Sequence, residues 1–338
     1  MMKNDDENWF LFQNCIPVKG AIRSIVYDLQ RNTFFYIPNQ LYEIIKNGKL
    51  PSINFLLNEY GHENLTTIKE YYNLLIENES IYQTDNPEFF PELSMTYEKS
   101  GLVDNAIIDR NKNSKFLVTP IFDQLEGLGC HHLELRFYDC VDFQYLKDLF
   151  FVLKNRVFSS ILILLKHNPE ISRENYFELL SLNSRIVSLT IHGTPELNTE
   201  ENYHNRLYFL QEEIKDSNCC GIISFQTFQL NIEMFSESQQ FNNCLNRKIS
   251  IDVSGDIKNC PSDIMKFGNI ANTTLQNALL NKNFYKKWGV KKDEIEVCQD
   301  CEFRYMCSDC RIYIKDDSNV FSKPLKCNYN PYIGKWED

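Results

Sequence analysis

Seven of the twelve cysteines lie in the 84 residues from Cys244 to Cys327. The run C-LNRKISIDVS-G-DIKN-C holds Cys244 and Cys260. After a gap of 37 residues come two Cys-x-x-Cys pairs, Cys298/Cys301 and Cys307/Cys310, separated by five residues. Sixteen more residues lead to Cys327. A turn of chain that carries two thiolates two residues apart can aim both at one metal. One such pair says little. Two pairs with three further spaced thiols point to a metal or cluster. Buried thiols also pack as small apolar residues, but packing alone gives no reason for this spacing.

The rest of the chain must position those thiols. At 338 residues it has room for two or three domains. Its formal charge of −11, with no long Lys/Arg run, weighs against a nucleic-acid partner. The N-terminal MMKNDDENWF lacks the apolar region of a secretory signal. No apolar run approaches the roughly 20 residues that span a bilayer, and Ser159–Leu165 reads as a buried strand. The expected setting is cytoplasmic, without a membrane. There, twelve cysteines favour metal ligation over disulfides.

Three segments are expected. In residues 1–85, Phe10–Pro17, Ala21–Leu29 and Thr33–Ile37 read as strands, the last two as a hairpin across Gln30-Arg31-Asn32. Helices follow from Pro38-Asn39, over Ser52–Glu59 and over Thr66–Glu77. This is a winged-helix-like unit. An exposed strand edge beside a helix, at Thr33–Ile37 or Ala21–Leu29, can capture an extended peptide. The plainer reading is a cap on the next domain.

Residues 86–235 open with a Pro- and acid-rich linker and then alternate strands with helices. Strands are expected near Leu102–Ile108, His132–Tyr138, Ser160–Lys166, Ile186–His192 and Ile222–Leu230. Helices are expected near Val118–Leu128, Tyr145–Lys154, Arg173–Leu182 and Glu201–Ile214. Repeated βα units imply a parallel sheet and an incomplete (β/α) barrel, so the fold class is α/β. No G-x-G-x-x-G or Walker A sequence supports nucleotide binding. In residues 236–338, a hairpin turns at Ser254-Gly255-Asp256, and a helix is expected over Asn272–Trp288. Outside the cysteine-rich segment, His131-His132 could ligate a metal but fit structural histidines. Asp139 and Asp142 sit where barrel sites form but fit helix capping equally well. No catalytic triad can be read from spacing.

The pattern C-x10-G-x4-C, then C-x2-C-x5-C and two further cysteines, resembles the SPASM domain of peptide-modifying radical SAM enzymes. The wording VSGDIKNCPS, CQDCEFRYMCSDCR and SKPLKCNYNPY is similar to the SPASM maturases of grasp-with-spasm peptide systems. The resemblance implies two [4Fe–4S] clusters. One would be held by Cys298, Cys301, Cys307 and Cys327, the other by Cys244, Cys260 and Cys310. Cys219, Cys220 and Cys140 are candidates for a fourth ligand of the latter; otherwise one iron would be open to substrate or water. It also implies a ribosomally made precursor peptide and an ATP-grasp ligase as partners, with the N-terminal unit recognising the leader.

Two departures stand beside it. Two residues, where the family usually has three, precede Cys310. Cys298, Cys301, Cys307 and Cys310 could therefore close one four-thiolate site, with zinc as the alternative metal to iron. The sequence also has no C-x3-C-x2-C motif after the first barrel strand, where DRNKNSKFLVTP stands. The second strand ends in Phe137-Tyr138-Asp139-Cys140 instead of Gly-Gly-Glu. The expected role is maturase or accessory protein, with S-adenosylmethionine cleavage by the usual route unsupported. A zinc-stabilised peptide-binding scaffold without catalysis is the rival.

Overall fold

The computed structural model describes residues 9–195 and 206–337. The N-terminal elements are β1 (Trp9–Leu11), β2 (Cys15–Val18), β3 (Ser24–Asp28), β4 (Thr33–Ile37), α1 (Asn39–Ile45), β5 (Lys49–Leu50), α2 (Ile53–Tyr60), α3 (Leu65–Glu77) and β6 (Ile81–Tyr82). The single strand expected over Phe10–Pro17 is two strands in different sheets. The chain turns at Gln13-Asn14. Cys15 N donates to Phe12 O at 2.8 Å, and Asn14 Nδ2 donates to Asp28 Oδ1 at 2.8 Å. β1 then pairs with β5 and β6, while β2, β3 and β4 form a separate antiparallel sheet in that order. Leu41, Ile45, Leu56, Ile68, Tyr72 and Leu75 bury the helices' apolar faces in one core. β3 is buried along its whole length and paired on both edges. Ala21–Leu29 therefore offers no edge to a peptide. Among the described residues, the outer edge of β4 pairs with no strand.

The middle segment runs β7 (Asn105–Arg110), α4 (Thr119–Gly127), β8 (His132–Phe137), α5 (Phe143–Lys154), β9 (Ser160–Lys166), α6 (Arg173–Leu182), β10 (Ile186–His192) and β11 (Leu207–Leu210). Side-chain caps start α5 and α6. Asp142 accepts from Tyr145 N at 3.1 Å to open α5, and Ser172 with Asn175 forms a capping box on α6. Leu146, Leu149, Phe150 and Leu153 then recur on one buried face of α5. Each contributes about 1.5–3 kcal/mol of burial. The fifth strand expected at Ile222–Leu230 is instead β11. Ile223 makes only an isolated bridge to Cys327, and residues 225–227 form a 3-10 turn. Of the helix expected over Glu201–Ile214, residues 201–205 lie outside the described residues and Leu207–Leu210 is strand.

Past α7 (Ile232–Ser238) come β12 (Lys248–Ile251), β13 (Ile257–Lys258), α8 (Leu275–Leu279), β14 (Tyr329–Asn330) and β15 (Lys335–Trp336). β12 pairs in parallel with β7, Lys248 opposite Asn105 and Ile251 opposite Ile108. One seven-stranded sheet results, ordered β11-β10-β9-β8-β7-β12-β13, parallel except for β13. Its helix-covered face is apolar, with Ile108, Leu135, Ile163 and Ile191 in one core. The other face carries Asp109, Glu134 and Arg136, which the period-two alternation of strands requires. The helix expected over Asn272–Trp288 stops after α8. Asn281 then caps a 3-10 turn, accepting from Asn283 N at 3.0 Å. Leu275, Leu279 and Phe284 still reach the core. Among the described residues, no helix is long and apolar enough to cross a membrane.

A third core joins the two ends of the chain. Ile25, Tyr27 and Leu29 pack with Phe303, Met306 and Tyr329. Arg23 pairs with the fully buried Glu302 at 2.8 Å, and Tyr329 Oη donates to the same carboxylate oxygen at 2.6 Å. A Cβ at Gly20 would stand 2.9 Å from Glu302 Cβ, so this glycine permits the approach.

Candidate metal centre

Cys298, Cys301, Cys307 and Cys327 line one small cavity of about 20 Å³. The Cys298–Asp300 segment is a single 3-10 turn, closed by Cys301 N donating to Cys298 O at 3.0 Å, which fixes the first knuckle. Val297 enters it at φ +68, a strained conformation for a β-branched residue. The other walls are apolar and aromatic, among them Phe228, Phe303, Tyr329 and Trp336. Phe303 sits among Phe225, Phe228 and Tyr329 with ring centroids 5.0 to 5.4 Å away. Burial pushes Cys307 up to about 12 and raises Cys298 and Cys301. Thiols so desolvated stay protonated unless a metal displaces the proton.

Lys292, Arg304 and Lys323 also line this cavity, and Lys292 reaches a thiol. Lys292 Nζ donates to Cys307 Sγ at 3.4 Å and lies 3.5 Å from Asp309, both residues being buried. Burial alone would lower the lysine, but Asp309, then Cys307 and Cys298, raise it on balance. Asp309 is held in turn by Arg311 at 2.8 Å and Asn242 Nδ2 at 2.7 Å.

Cys310 does not line that cavity, although it is three residues from Cys307. It lies near Cys244, as Cys260 does. Burial pushes Cys260 up to about 12 and raises Cys310, and the charge of Cys244 raises both further. β12 carries Lys248, whose Nζ donates to Cys244 Sγ at 3.6 Å. Cys220 lies on the barrel side of this set, with Arg136 Nη2 donating to its Sγ at 3.2 Å. Hydrogen bonding from Cys219, with the Arg136 charge behind it, lowers Cys220 to about 6.

Arg136 connects these thiols to the polar face of the sheet. Its Nε donates to Glu134 at 2.7 Å, and its Nη1 stands 4.0 Å from Asp109 Oδ1 without a hydrogen bond. Tyr138 Oη donates to Asp109 Oδ2 at 2.8 Å. Burial pushes the Asp109 carboxyl up to about 7 against the pull of Arg136.

The remaining sequence candidates stand elsewhere. Cys140 is exposed, its Sγ donating to His167 O at 3.2 Å. His132 Nδ1 lies 2.9 Å from Ser160 Oγ. Asp142 is the α5 cap, and Asp139 accepts from Lys112 N at 2.9 Å. Lys292 and Arg136 carry no local signal in sequence, since they reach their thiols through the fold, whereas Lys248 stands four residues after Cys244 and Glu302 directly after Cys301.

Among the described residues, no three His, Cys, Asp or Glu side chains converge closely enough to hold a single metal ion. Cys298, Cys301, Cys307 and Cys327 are four thiol donors around one cavity, a set that zinc also accepts. All-thiol donors in an apolar cavity suit an iron–sulfur cluster, which spreads its ligands over several irons.

Residues 243–302 match the SPASM family, an iron–sulfur cluster-binding domain. The matched segment contains Cys244, Cys260, Cys298 and Cys301, and the other three thiols follow it. No curated protein matches the chain. Two solved structures of SuiB from Streptococcus suis are similar, each at 10% identity over 93% of this chain and 98% of that one. One is bound to the precursor peptide SuiA, TM-score 0.32; the other to S-adenosylmethionine, TM-score 0.31. Superposition that loose carries no residue from SuiB to this chain. The SPASM segment here is fused into the barrel sheet through β12.

Proposed function

We propose that this chain is a maturation or accessory protein for a ribosomally synthesised peptide. In this reading it binds the precursor's leader, works beside an ATP-grasp ligase and carries two [4Fe–4S] clusters in its SPASM segment. Cys298, Cys301, Cys307 and Cys327 hold one cluster; Cys244, Cys260 and Cys310 hold the other. The observation that carries the assignment is the partition of the thiols. Cys310 keeps company with Cys244, and Cys327 with the first knuckle, which supports two clusters over one zinc ribbon. When bound, the clusters supply electron transfer or a structural staple. The chain's own residues hold them, exclude water with aromatic walls and set the local charge with Lys292, Lys248 and Arg136.

Leader recognition rests on the outer edge of β4, which pairs with no strand among the described residues. The cysteine motif for cleaving S-adenosylmethionine is missing from the barrel, so the chemistry on the peptide falls to the ligase or to electron transfer. Anaerobic iron and sulfide analysis, with pull-down of the precursor and ligase, tests this reading. About eight irons per chain and capture of the precursor are expected. A colourless protein with stoichiometric zinc would overturn the clusters, and failure to bind either partner would overturn the peptide role.

A further inference from the structure

The loop between Cys301 and Cys307 is also the floor under the outer edge of β4. We infer that metal occupancy of Cys298, Cys301, Cys307 and Cys327 gates peptide capture at that edge, so that the loaded chain takes up the precursor and the empty one does not. The inference rests on the leader site proposed above, and its own ground is the way residues 300–304 are held.

Each of these residues but Cys301 is fastened to the N-terminal unit. Ala21 N donates to Asp300 O at 2.8 Å. Tyr27 Oη donates to Glu302 O at 2.9 Å, and Arg23 Nε reaches the Glu302 carboxylate at 2.8 Å. Phe303 packs on β4 itself, its ring centroid 5.8 Å from that of Phe34 and 6.2 Å from that of Tyr36. Arg304 Nη1 donates to Lys19 O at 2.6 Å and to Cys301 O at 2.9 Å, so one guanidinium bridges the unit and the knuckle.

The sheet β2-β3-β4 therefore stands between two cores. Val26, Phe35 and Ile37 face the N-terminal core, while Ile25, Tyr27 and Phe34 face Phe303 and Met306. Cys301 and Cys307 end the loop that carries Phe303, and both line the same cavity. A metal or cluster that ties them holds the loop against the sheet. Without that tie the two ends can part, and β4 loses the packing on one face. Glu302 sharpens the dependence. It is fully buried, its Oε2 has no hydrogen-bond partner, and its charge is paired with Arg23. Arg23 in turn stacks 3.9 Å from the ring centroid of Tyr36, which is 39% exposed on β4. Cys301, Glu302, Arg23 and Tyr36 thus touch in sequence from the thiols to the peptide edge. Coupling of this kind is reciprocal, so a bound peptide also tightens the hold on the metal.

The test uses the full chain, reconstituted anaerobically with iron and sulfide, and a fluorescein-labelled synthetic copy of the precursor leader. Anisotropy is expected to show about tenfold weaker binding to Cys301→Ala than to wild type. Hydrogen exchange is expected to be faster in Cys301→Ala over residues 33–37. Because that variant can lose its fold, wild type is also read alone: excess leader is expected to slow the release of iron to a chelator about tenfold for one of two clusters. Equal leader affinity in Cys301→Ala and wild type overturns the gate and leaves the leader site standing, as does wild-type iron release that leader does not change. Exchange over residues 33–37 that matches wild type overturns the gate as well. A loaded wild type that does not bind the leader overturns the leader site, and the gate with it.

Discussion

The two thiol sets lie on neighbouring stretches of one segment, yet their surroundings are opposites. Cys298, Cys301, Cys307 and Cys327 face aromatic rings, and of the two ammonium groups at their cavity Lys292 is balanced by the buried Asp309 and Lys323 donates to Tyr329 O. Cys244, Cys260, Cys310 and Cys220 adjoin the polar face of the sheet, beside Arg136, Lys248, Glu134 and Asp109. The first environment keeps out water and ties the two ends of the chain together. The second stands against the barrel interior, where net charge and hydrogen bonds to sulfur set a potential. Reduction potential should therefore respond to changes around the polar set, and stability to changes around the enclosed one.

The largest expected effect is at the enclosed set. Cys301→Ala should remove about four of eight irons and the folding energy that goes with them. Iron analysis beside thermal unfolding checks this; a variant with normal Tm and half the iron would erase the contrast. Removing residues 1–85 should also disturb this set, because it uncovers Glu302 and Phe303. Next comes Lys292→Met, which takes one of the cations from Asp309 and should cost about 3 kcal/mol in denaturant unfolding.

At the polar set, Arg136→Leu should lower the reduction potential of one cluster by about 50 mV, close to one hydrogen bond, and leave the other unchanged. Potentiometric titration followed by EPR reads both clusters at once. The smallest effect concerns pH. Burial lifts Asp109 from its ordinary 3.8 to about 7, so the folded chain keeps a proton that the unfolded chain releases. That contribution to stability is fully present below pH 3.8 and is lost as pH rises to about 7. Asp109→Asn should flatten this stretch of the stability–pH curve, measured by urea midpoints.

The thiol spacing was legible because a Cys-x-x-Cys turn is local chemistry. So were α5 and α6, which combine a cap with apolar residues at helical spacing. The failures were long-range. Apolar residues at 222–230 look like strand, but Phe225 and Phe228 are spent on Phe303 and Trp336. Leu275 to Trp288 has a helical apolar period, yet Asn281 restarts the backbone. Gln13-Asn14 split one apolar run between two sheets. Of the cations at the thiols, Lys248 stands four residues from its Cys244, whereas Arg136 on β8 and Lys292 before the first knuckle reach Cys220 and Cys307 at separations that no spacing rule gives.

The pairing of β7 with β12 has a consequence for how the chain is made. Asn105 meets Lys248 only after some 140 residues have been synthesised between them, which at ribosomal speed takes on the order of 10 s. Until then one edge of β7 is an open template for aggregation. The strand that finally covers it begins four residues after Cys244. If Cys244 holds a cluster as proposed, a cell short of iron–sulfur assembly would leave the sheet unsealed in its newborn chains, and metal supply would set the yield of folded protein.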